Sequence, residues 1–258
     1  MTALADVLRG MPAIAVAVSG GIDSLTLATQ AQRLGVDAHM FHATSPAVPE
    51  EATARVRAEA ARQGWALAIF DAGEFADAQY RANPVNRCFF CKTNLYGAIA
   101  ARTARQIVSG ANTDDLREYR PGLDAARAHR VRHPFVEAGI DKRGIRAMAV
   151  ELGLGALAEL PSAPCLSSRI ETGLRIEAPI LAMVHEAEKL IAGMLSPRTV
   201  RCRVRASGVV VELDESTLRN LGSAEEESLR EQIAALGVVR PVTFAPYRTG
   251  SAFVQPAA

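Results

Sequence analysis

Over its first 150 residues the chain alternates short apolar runs with amphipathic segments, and that alternation leaves few folds open. Apolar runs at Ala13–Ser19, Ala38–Thr44, Ala66–Asp71, Gln106–Asn112 and Val131–Val136 read as strands. Helical patterns lie between them, near Ser24–Leu34, Pro49–Gln63, Thr93–Arg102 and Lys142–Leu152. This order predicts an α/β fold, a parallel sheet wrapped by helices on both faces. Ligands of such sheets bind at the carboxyl ends of the strands. Around Ser162–Gly173 the pattern breaks into a Pro- and Ser-rich loop, and a different rhythm follows. A helix over Ala178–Met194, strands at Thr199–Ala206 and Val209–Leu213, a helix over Ala224–Leu236 and a strand at Pro241–Pro246 predict a small α+β domain. The expected division is residues 1–170 and 171–258, both of ordinary domain size.

Composition narrows the classes of function. The 258 residues are 49% hydrophobic, enough for a substantial core. No apolar run approaches a membrane span, and no basic segment followed by a long apolar stretch opens the chain as an export signal would. A formal charge of +1 argues against holding long nucleic acids by bulk electrostatics. Four cysteines without an export signal suggest a reducing, cytoplasmic setting, where closely spaced cysteines bind metal or do chemistry.

The first strand runs into Ser19-Gly20-Gly21-Ile22-Asp23-Ser24, and a helix follows at once. A helix start leaves backbone N–H groups unpaired, and with the positive end of the helix dipole they bind phosphate well. Gly20 and Gly21 let the backbone approach oxyanions closely, while Ser19 and Ser24 add hydroxyl donors. Asp23 suits either a helix cap or a magnesium ion bridging phosphates. Neither the Walker spacing nor G-x-G-x-x-G is present. The plainer reading is a glycine turn before a capped helix. The hexapeptide matches the PP-loop of the ATP pyrophosphatases, a superfamily that splits ATP into AMP and pyrophosphate. That resemblance implies a Rossmann-like fold and makes the anion the pyrophosphate portion of ATP.

Cys88 and Cys91 form a C-x-x-C followed by Lys92, and Cys165 lies in a loop four residues before Arg169. Two sulfurs at that spacing can ligate one metal or cluster, act as a redox couple, or pack beside Phe89 and Phe90. A cation near Cys165 would raise its thiolate fraction. Cys202, inside Thr-Val-Arg-Cys-Arg-Val-Arg, reads as packing on a strand face.

The segments NRCFFCK, GANTDDLREYRPGLDAA, EAGIDKRGIRAMAVELGL and PCLSSRI, with a later echo in YRTGS, resemble the LarE family in sequence and order. LarE proteins are ATP-dependent sulfur transferases that help make the nickel-pincer nucleotide cofactor of lactate racemase. The resemblance implies adenylation of a carboxylate of pyridinium-3,5-dicarboxylic acid mononucleotide, with ATP and magnesium, and its conversion to a thiocarboxylate. Cys165 matches the sulfur-bearing cysteine that sacrificial members consume. Members that also carry the C-x-x-C hold a 4Fe-4S cluster on three cysteines, here Cys88, Cys91 and Cys165, and draw on a sulfide source. Homo-oligomer formation is also implied.

Weaker signals complete the candidate site. Asn112 and Asp115 follow the fourth strand, where Asp115 would bind magnesium, orient the adenylate or merely cap a helix. Lys92 would offset charge on ATP or on the cluster, and Arg120 suits a phosphate or carboxylate. Arg201, Arg203 and Arg205 alternate on one strand face, a suitable cradle for a nucleotide phosphate, or simply a solvated basic strand. Glu212 is expected to face them from the next strand. The stretch ASGVVVELD is more apolar than the family pattern there. Rival readings are a tRNA thiolase, which would need a basic surface, an amide-forming synthetase, which would not need three cysteines, and a non-catalytic nucleotide-binding module with a zinc site.

Overall fold

The computed structural model describes residues 2–117, 120–160, 164–237 and 241–252. Parts of two quoted segments, Glu118–Tyr119 and Pro161–Ala163, lie outside the described residues, as do the final six positions. In chain order the elements are α1 (Thr2–Arg9), β1 (Ile14–Ala17), α2 (Ile22–Arg33), β2 (Ala38–Thr44), α3 (Glu50–Gln63), β3 (Ala66–Asp71), α4 (Ala78–Arg81), α5 (Arg87–Ala100), β4 (Gln106–Ser109), α6 (Pro121–Ala128), α7 (Pro134–Glu137), α8 (Lys142–Glu151), α9 (Ala178–Leu195), β5 (Val200–Arg205), β6 (Gly208–Leu213), α10 (Glu215–Asn220), α11 (Ser223–Ala235) and β7 (Val242–Pro246). They group into two compact units, residues 1–77 with 86–163, and residues 78–85 with 164–258.

The first unit is built on a four-stranded parallel sheet in the order β3-β2-β1-β4. The central strand β1 is buried along its whole length. Because successive side chains point to opposite faces, Ile14 and Val16 join a core with Leu4, Leu8, Leu25 and Ile145. Ala15 and Ala17 join the other, with Phe41, Tyr96, Ile99 and Ala126. Helices α1, α2 and α8 thus contribute to one core and α5 and α6 to the other. Each fully buried Leu or Ile contributes about 1.5–3 kcal/mol.

The chain leaves β1 toward β2 and β3, then returns to place β4 on the opposite side of β1. The direction of winding reverses between β1 and β4, and a crevice opens where the two following loops diverge. Both loops carry candidate residues, Ser19–Ser24 after β1 and Gly110–Asp115 after β4.

Two expectations are corrected here. Val131–Val136 is not a strand: Arg132 makes one parallel bridge to Val108, and Pro134 then opens α7. Proline lacks the amide a ladder needs but fits the first turn of a helix. Helix α5 begins at Arg87 rather than near Thr93, so Cys88 and Cys91 lie in its first turns.

The second unit holds a three-stranded mixed sheet, β5-β6-β7. β5 and β6 are an antiparallel hairpin, and β7 joins β6 in parallel after α10 and α11. Leu181, Val184 and Ile191 of α9, Leu229 and Ile233 of α11, and Val209 and Val211 of β6 are buried. The short segment around α4 belongs to this unit through specific bonds. Tyr80 Oη lies 2.6 Å from Ser167 Oγ, Asn83 Nδ2 donates to the Glu171 carbonyl at 2.8 Å, and the Ile176 amide donates to the Arg81 carbonyl at 2.9 Å. Among the described residues no helix is long and apolar enough to cross a membrane.

Candidate functional site

The loop between β1 and α2 takes its shape from Gly20. Its φ of +82° is left-handed, and a Cβ there would lie 2.6 Å from the carbonyl oxygen of Ala52 on α3. Only glycine meets both demands. Gly21 occupies the N-cap position of α2 and provides no side-chain cap for the first α2 amides. Ser24 is buried and its hydroxyl is engaged within the loop: it accepts from the Ser19 amide at 3.1 Å and donates to the Gly21 carbonyl at 3.0 Å. Ser24 therefore braces the loop, where the sequence suggested an oxyanion donor. Ser19, exposed, keeps its side chain at the surface, with its Oγ 3.2 Å from that of Ser24.

Asp23 is in the first turn of α2 but is not its cap. Its carboxylate pairs with Lys142 Nζ at 2.5 Å. Lys142 starts α8, behind the Asp141 cap that accepts from the Gly144 amide at 2.7 Å. Nothing in the sequence singles Lys142 out, since the pair spans 119 residues. The Lys142 amide also donates to Asp114 Oδ2 at 3.0 Å, tying α8 to the β4 loop.

That loop is self-bonded. Asn112, 2% exposed, accepts from the Asp114 amide through Oδ1, and its own amide donates to Asp115 Oδ2, both at 3.0 Å. The other Asp115 oxygen pairs with Arg120 at 3.0 Å. Gly110 brings the loop against α2: a Cβ on it would lie 2.9 Å from the Asp23 carbonyl carbon and the Ser24 nitrogen. The structure thus gathers Asp23, Asn112, Asp115 and Lys142 around the crevice. Ser109 and His133, missed in the sequence, join them with Oγ and Nδ1 2.9 Å apart. Burial pushes His133 below the usual histidine range, opposed by Glu137 and Asp115 and assisted by Lys92. Lys92 lies along α6, with its Nζ 5.8 Å from the Tyr96 ring centre, and acts electrostatically on Glu74 as well.

Cys88 and Cys91, three residues apart on α5, share one helix face. Among the described residues no disulfide joins the cysteines. Cys165, in the second unit, is exposed and precedes a short 3-10 helix, Leu166–Arg169. Arg169 is buried: it donates to the Pro164 and Cys165 carbonyls at 2.6 and 3.2 Å and forms a bidentate pair with Glu188 at 2.9 Å. It fixes the backbone of the cysteine loop while Glu188 balances its charge. Cys202 is fully buried, and desolvation pushes its thiol far above the usual range.

On the small sheet, Arg203 and Glu212 are buried and paired at 3.1 Å, and Arg205 reaches the other Glu212 oxygen at 3.2 Å. Glu212 also accepts from Ser251 Oγ at 2.5 Å. Arg203 donates to the Ser168 carbonyl at 2.9 Å. Arg201 lies over the Tyr247 ring at 5.9 Å, and burial, with Arg169 nearby, lowers its pKa. The arginine face is thus packed and charge-compensated, where a solvated strand was one expectation. A cavity of about 450 Å³ beside it is lined by Arg205, Glu212, Arg248, Thr249 and Ser251, and Arg248 was not identified from sequence. A larger cavity, about 790 Å³, opens beside Ala13, Arg105 and Gln106. That is the amino end of the strands, away from the loops that carry the candidate chemistry.

No family model matches the chain. It is 34% identical over 223 residues to slr1717, an uncharacterised protein of Synechocystis, covering 84% of this chain and 82% of that one. It is 26% identical to the uncharacterised protein MJ0830 of Methanocaldococcus jannaschii over 83% and 82% of the two chains. It is also 27% identical over 240 residues to the pyridinium-3,5-bisthiocarboxylic acid mononucleotide synthase of Lactiplantibacillus plantarum, LarE, covering 91% of this chain and 86% of that enzyme. The chain belongs to the same family as slr1717, and its likeness to the Lactiplantibacillus synthase supports a LarE-like family.

Proposed function

We propose that the protein is an ATP-dependent sulfur transferase that adenylates a carboxylate of pyridinium-3,5-dicarboxylic acid mononucleotide and converts it to a thiocarboxylate. The observation that carries this reading is the loop after β1, with left-handed Gly20, α2 amides that no side chain caps and Asp23 facing the β4 loop across the crevice. The likeness to the Lactiplantibacillus enzyme supplies the substrate class.

In this reading the Gly20–Gly21 backbone and the α2 amides bind the departing pyrophosphate, with the exposed Ser19 hydroxyl as a further donor. Asp23 and Asp115 would hold magnesium, which would neutralise charge on the phosphates. Asp23 would serve either Lys142, its partner here, or the metal, while Lys142 and Lys92 balance charge that develops on the phosphates. Asn112 keeps Asp115 oriented. Arg201, Arg205 and Arg248 would meet the nucleotide substrate, with the buried Arg203–Glu212 pair as the charged floor behind them.

A 4Fe-4S cluster is the sulfur donor that the family resemblance implies; within the first unit Cys88 and Cys91 sit one turn apart on one helix face, and within the second Cys165 is exposed in a loop whose backbone Arg169 fixes. Bound to these thiolates, such a cluster would supply sulfide-level sulfur for the transfer. The catalytic assignment is Cys165, Asp23, Lys92 and Asp115.

The test is an anaerobic reaction with ATP, magnesium, a sulfide source and the pyridinium dicarboxylate mononucleotide, following product and intact protein mass together. Thiocarboxylate formed over many turnovers at unchanged protein mass supports the cluster route. One product per chain with loss of hydrogen sulfide at Cys165 means the cysteine itself is consumed. Absence of product overturns the reading in favour of another acceptor, a tRNA first.

A further inference from the structure

We propose that His42 is a positioning residue that, with Arg55, lets α3 set the orientation of the phosphate-binding loop. His42 lies near the end of β2 and is 1% exposed. Its Nδ1 is 2.7 Å from the Val18 carbonyl oxygen, and its Nε2 is 2.9 Å from Thr53 Oγ1 on α3. A carbonyl oxygen only accepts, so Nδ1 carries the proton; in the neutral ring Nε2 is then the acceptor, and Thr53 donates to it. The two partners fix one neutral tautomer. Burial favours that neutral form, the Val18 bond opposes it, and the charge of Arg57 favours it further.

Two more contacts come from the same helix. Arg55 Nε donates to the Gly20 carbonyl at 3.1 Å, and the Ala52 carbonyl closes the space beside Gly20. A trans peptide points its N–H away from its C=O. Holding the Val18 carbonyl therefore sends the Ser19 amide the other way, to Ser24 Oγ at 3.1 Å. Holding the Gly20 carbonyl turns the Gly21 amide to the side away from Arg55. Two peptide planes of the loop are thus set by side chains outside it, and the chain Thr53–His42–Val18 links α3 to the residue that enters the loop. The ligand that would feel this is the polyphosphate of a nucleoside triphosphate, so the inference rests on the nucleotide-binding reading above.

The test separates loop positioning from core packing. The amide of His42→Asn places an N–H where Nδ1 stands and can keep the bond to Val18. His42→Gln fills the site better but places its amide where Nε2 stands. We expect ATP affinity, measured by calorimetry on the full chain, to stay within about threefold of wild type for Asn and to fall roughly tenfold or more for Gln and Ala. Packing alone predicts the reverse order of Asn and Gln, and that order would overturn the proposal. Nitrogen-15 spectra of the nucleotide-free protein should show His42 protonated on Nδ1 alone, and His42→Ala should speed exchange of the Ser19 amide. An Nε2-protonated ring, or unchanged exchange, would overturn the proposal even if the wild-type chain binds no ATP. Failure of wild-type binding with the expected tautomer and exchange would sink the nucleotide reading and leave the clasp standing.

Discussion

Lys142 Nζ reaches the Asp23 carboxylate at 2.5 Å across 119 residues of sequence, placing a cation against the first turn of the helix that follows the glycine loop. The pair is about one-third exposed on each side, so it contributes no more than about 1 kcal/mol to stability. Lys142→Met should therefore leave the urea midpoint nearly unchanged while lowering kcat/KM for ATP roughly tenfold or more. Equal losses of stability and activity would assign the pair to the scaffold.

The two loop glycines should differ. Gly20→Ala meets both a left-handed φ and the Ala52 carbonyl, and is expected to cost roughly 2 kcal/mol or more. Gly21 has φ −85° and nothing nearer than Ser19 Oγ at 3.5 Å from an added Cβ, so Gly21→Ala should stay within about 0.5 kcal/mol of wild type. Urea unfolding of the two variants decides this.

Glu212 answers two guanidinium groups in the small sheet. Removing it leaves Arg203 buried without its carboxylate, and Glu212→Ala should lose roughly 3–5 kcal/mol. A loss below 1 kcal/mol, read from the unfolding of the second unit, would mean water replaces the carboxylate there.

Thiol chemistry should separate the cysteines. Cys165 is exposed, whereas Cys202 is fully buried with its thiol pushed far up. Brief iodoacetamide treatment of the native chain should alkylate Cys165 and spare Cys202 until urea is added. Peptide mapping that finds Cys202 modified first would contradict the burial.

Acidification supplies a further prediction. His42 and His133 are both held below the ordinary histidine value, chiefly by burial. Below about pH 6.5 the unfolded chain takes up protons that the folded chain refuses, so stability falls as pH drops toward the folded values. Each ring contributes a slope of at most about 1.4 kcal/mol per pH unit. Glu74, raised by burial, works in the opposite sense: its contribution is present below its unfolded value and is lost as pH rises through its folded value. Urea midpoints between about pH 5 and pH 7 should show a shallower dependence in His42→Asn than in wild type, and parallel curves would remove His42 from this account.

The bounds of β2 and β3, the change of rhythm after the Pro- and Ser-rich loop and the glycine-hydroxyl junction were legible because period and turn chemistry are local properties. A strand's alternation and a helix's spacing are written in neighbouring residues. Val131–Val136 misled because an apolar run does not report a missing ladder partner, and Pro134 ended the pairing after one bridge. The union of residues 78–85 with the second unit rests on bonds from Tyr80, Arg81 and Asn83 to partners almost 90 positions or more away, which no local pattern encodes. Ser24 reads in the sequence only as a hydroxyl donor, and the bonds its hydroxyl makes within the loop appear only in the structure. Arg203 looked like a surface charge until Glu212 buried it. The sequence by itself determined the principal strands, most of the longer helices and where the glycine loop begins. Only the tertiary structure decided the partners of Asp23, His42 and Arg203, because side chains distant in the chain meet there only after the strands have been ordered and the helices folded back over them.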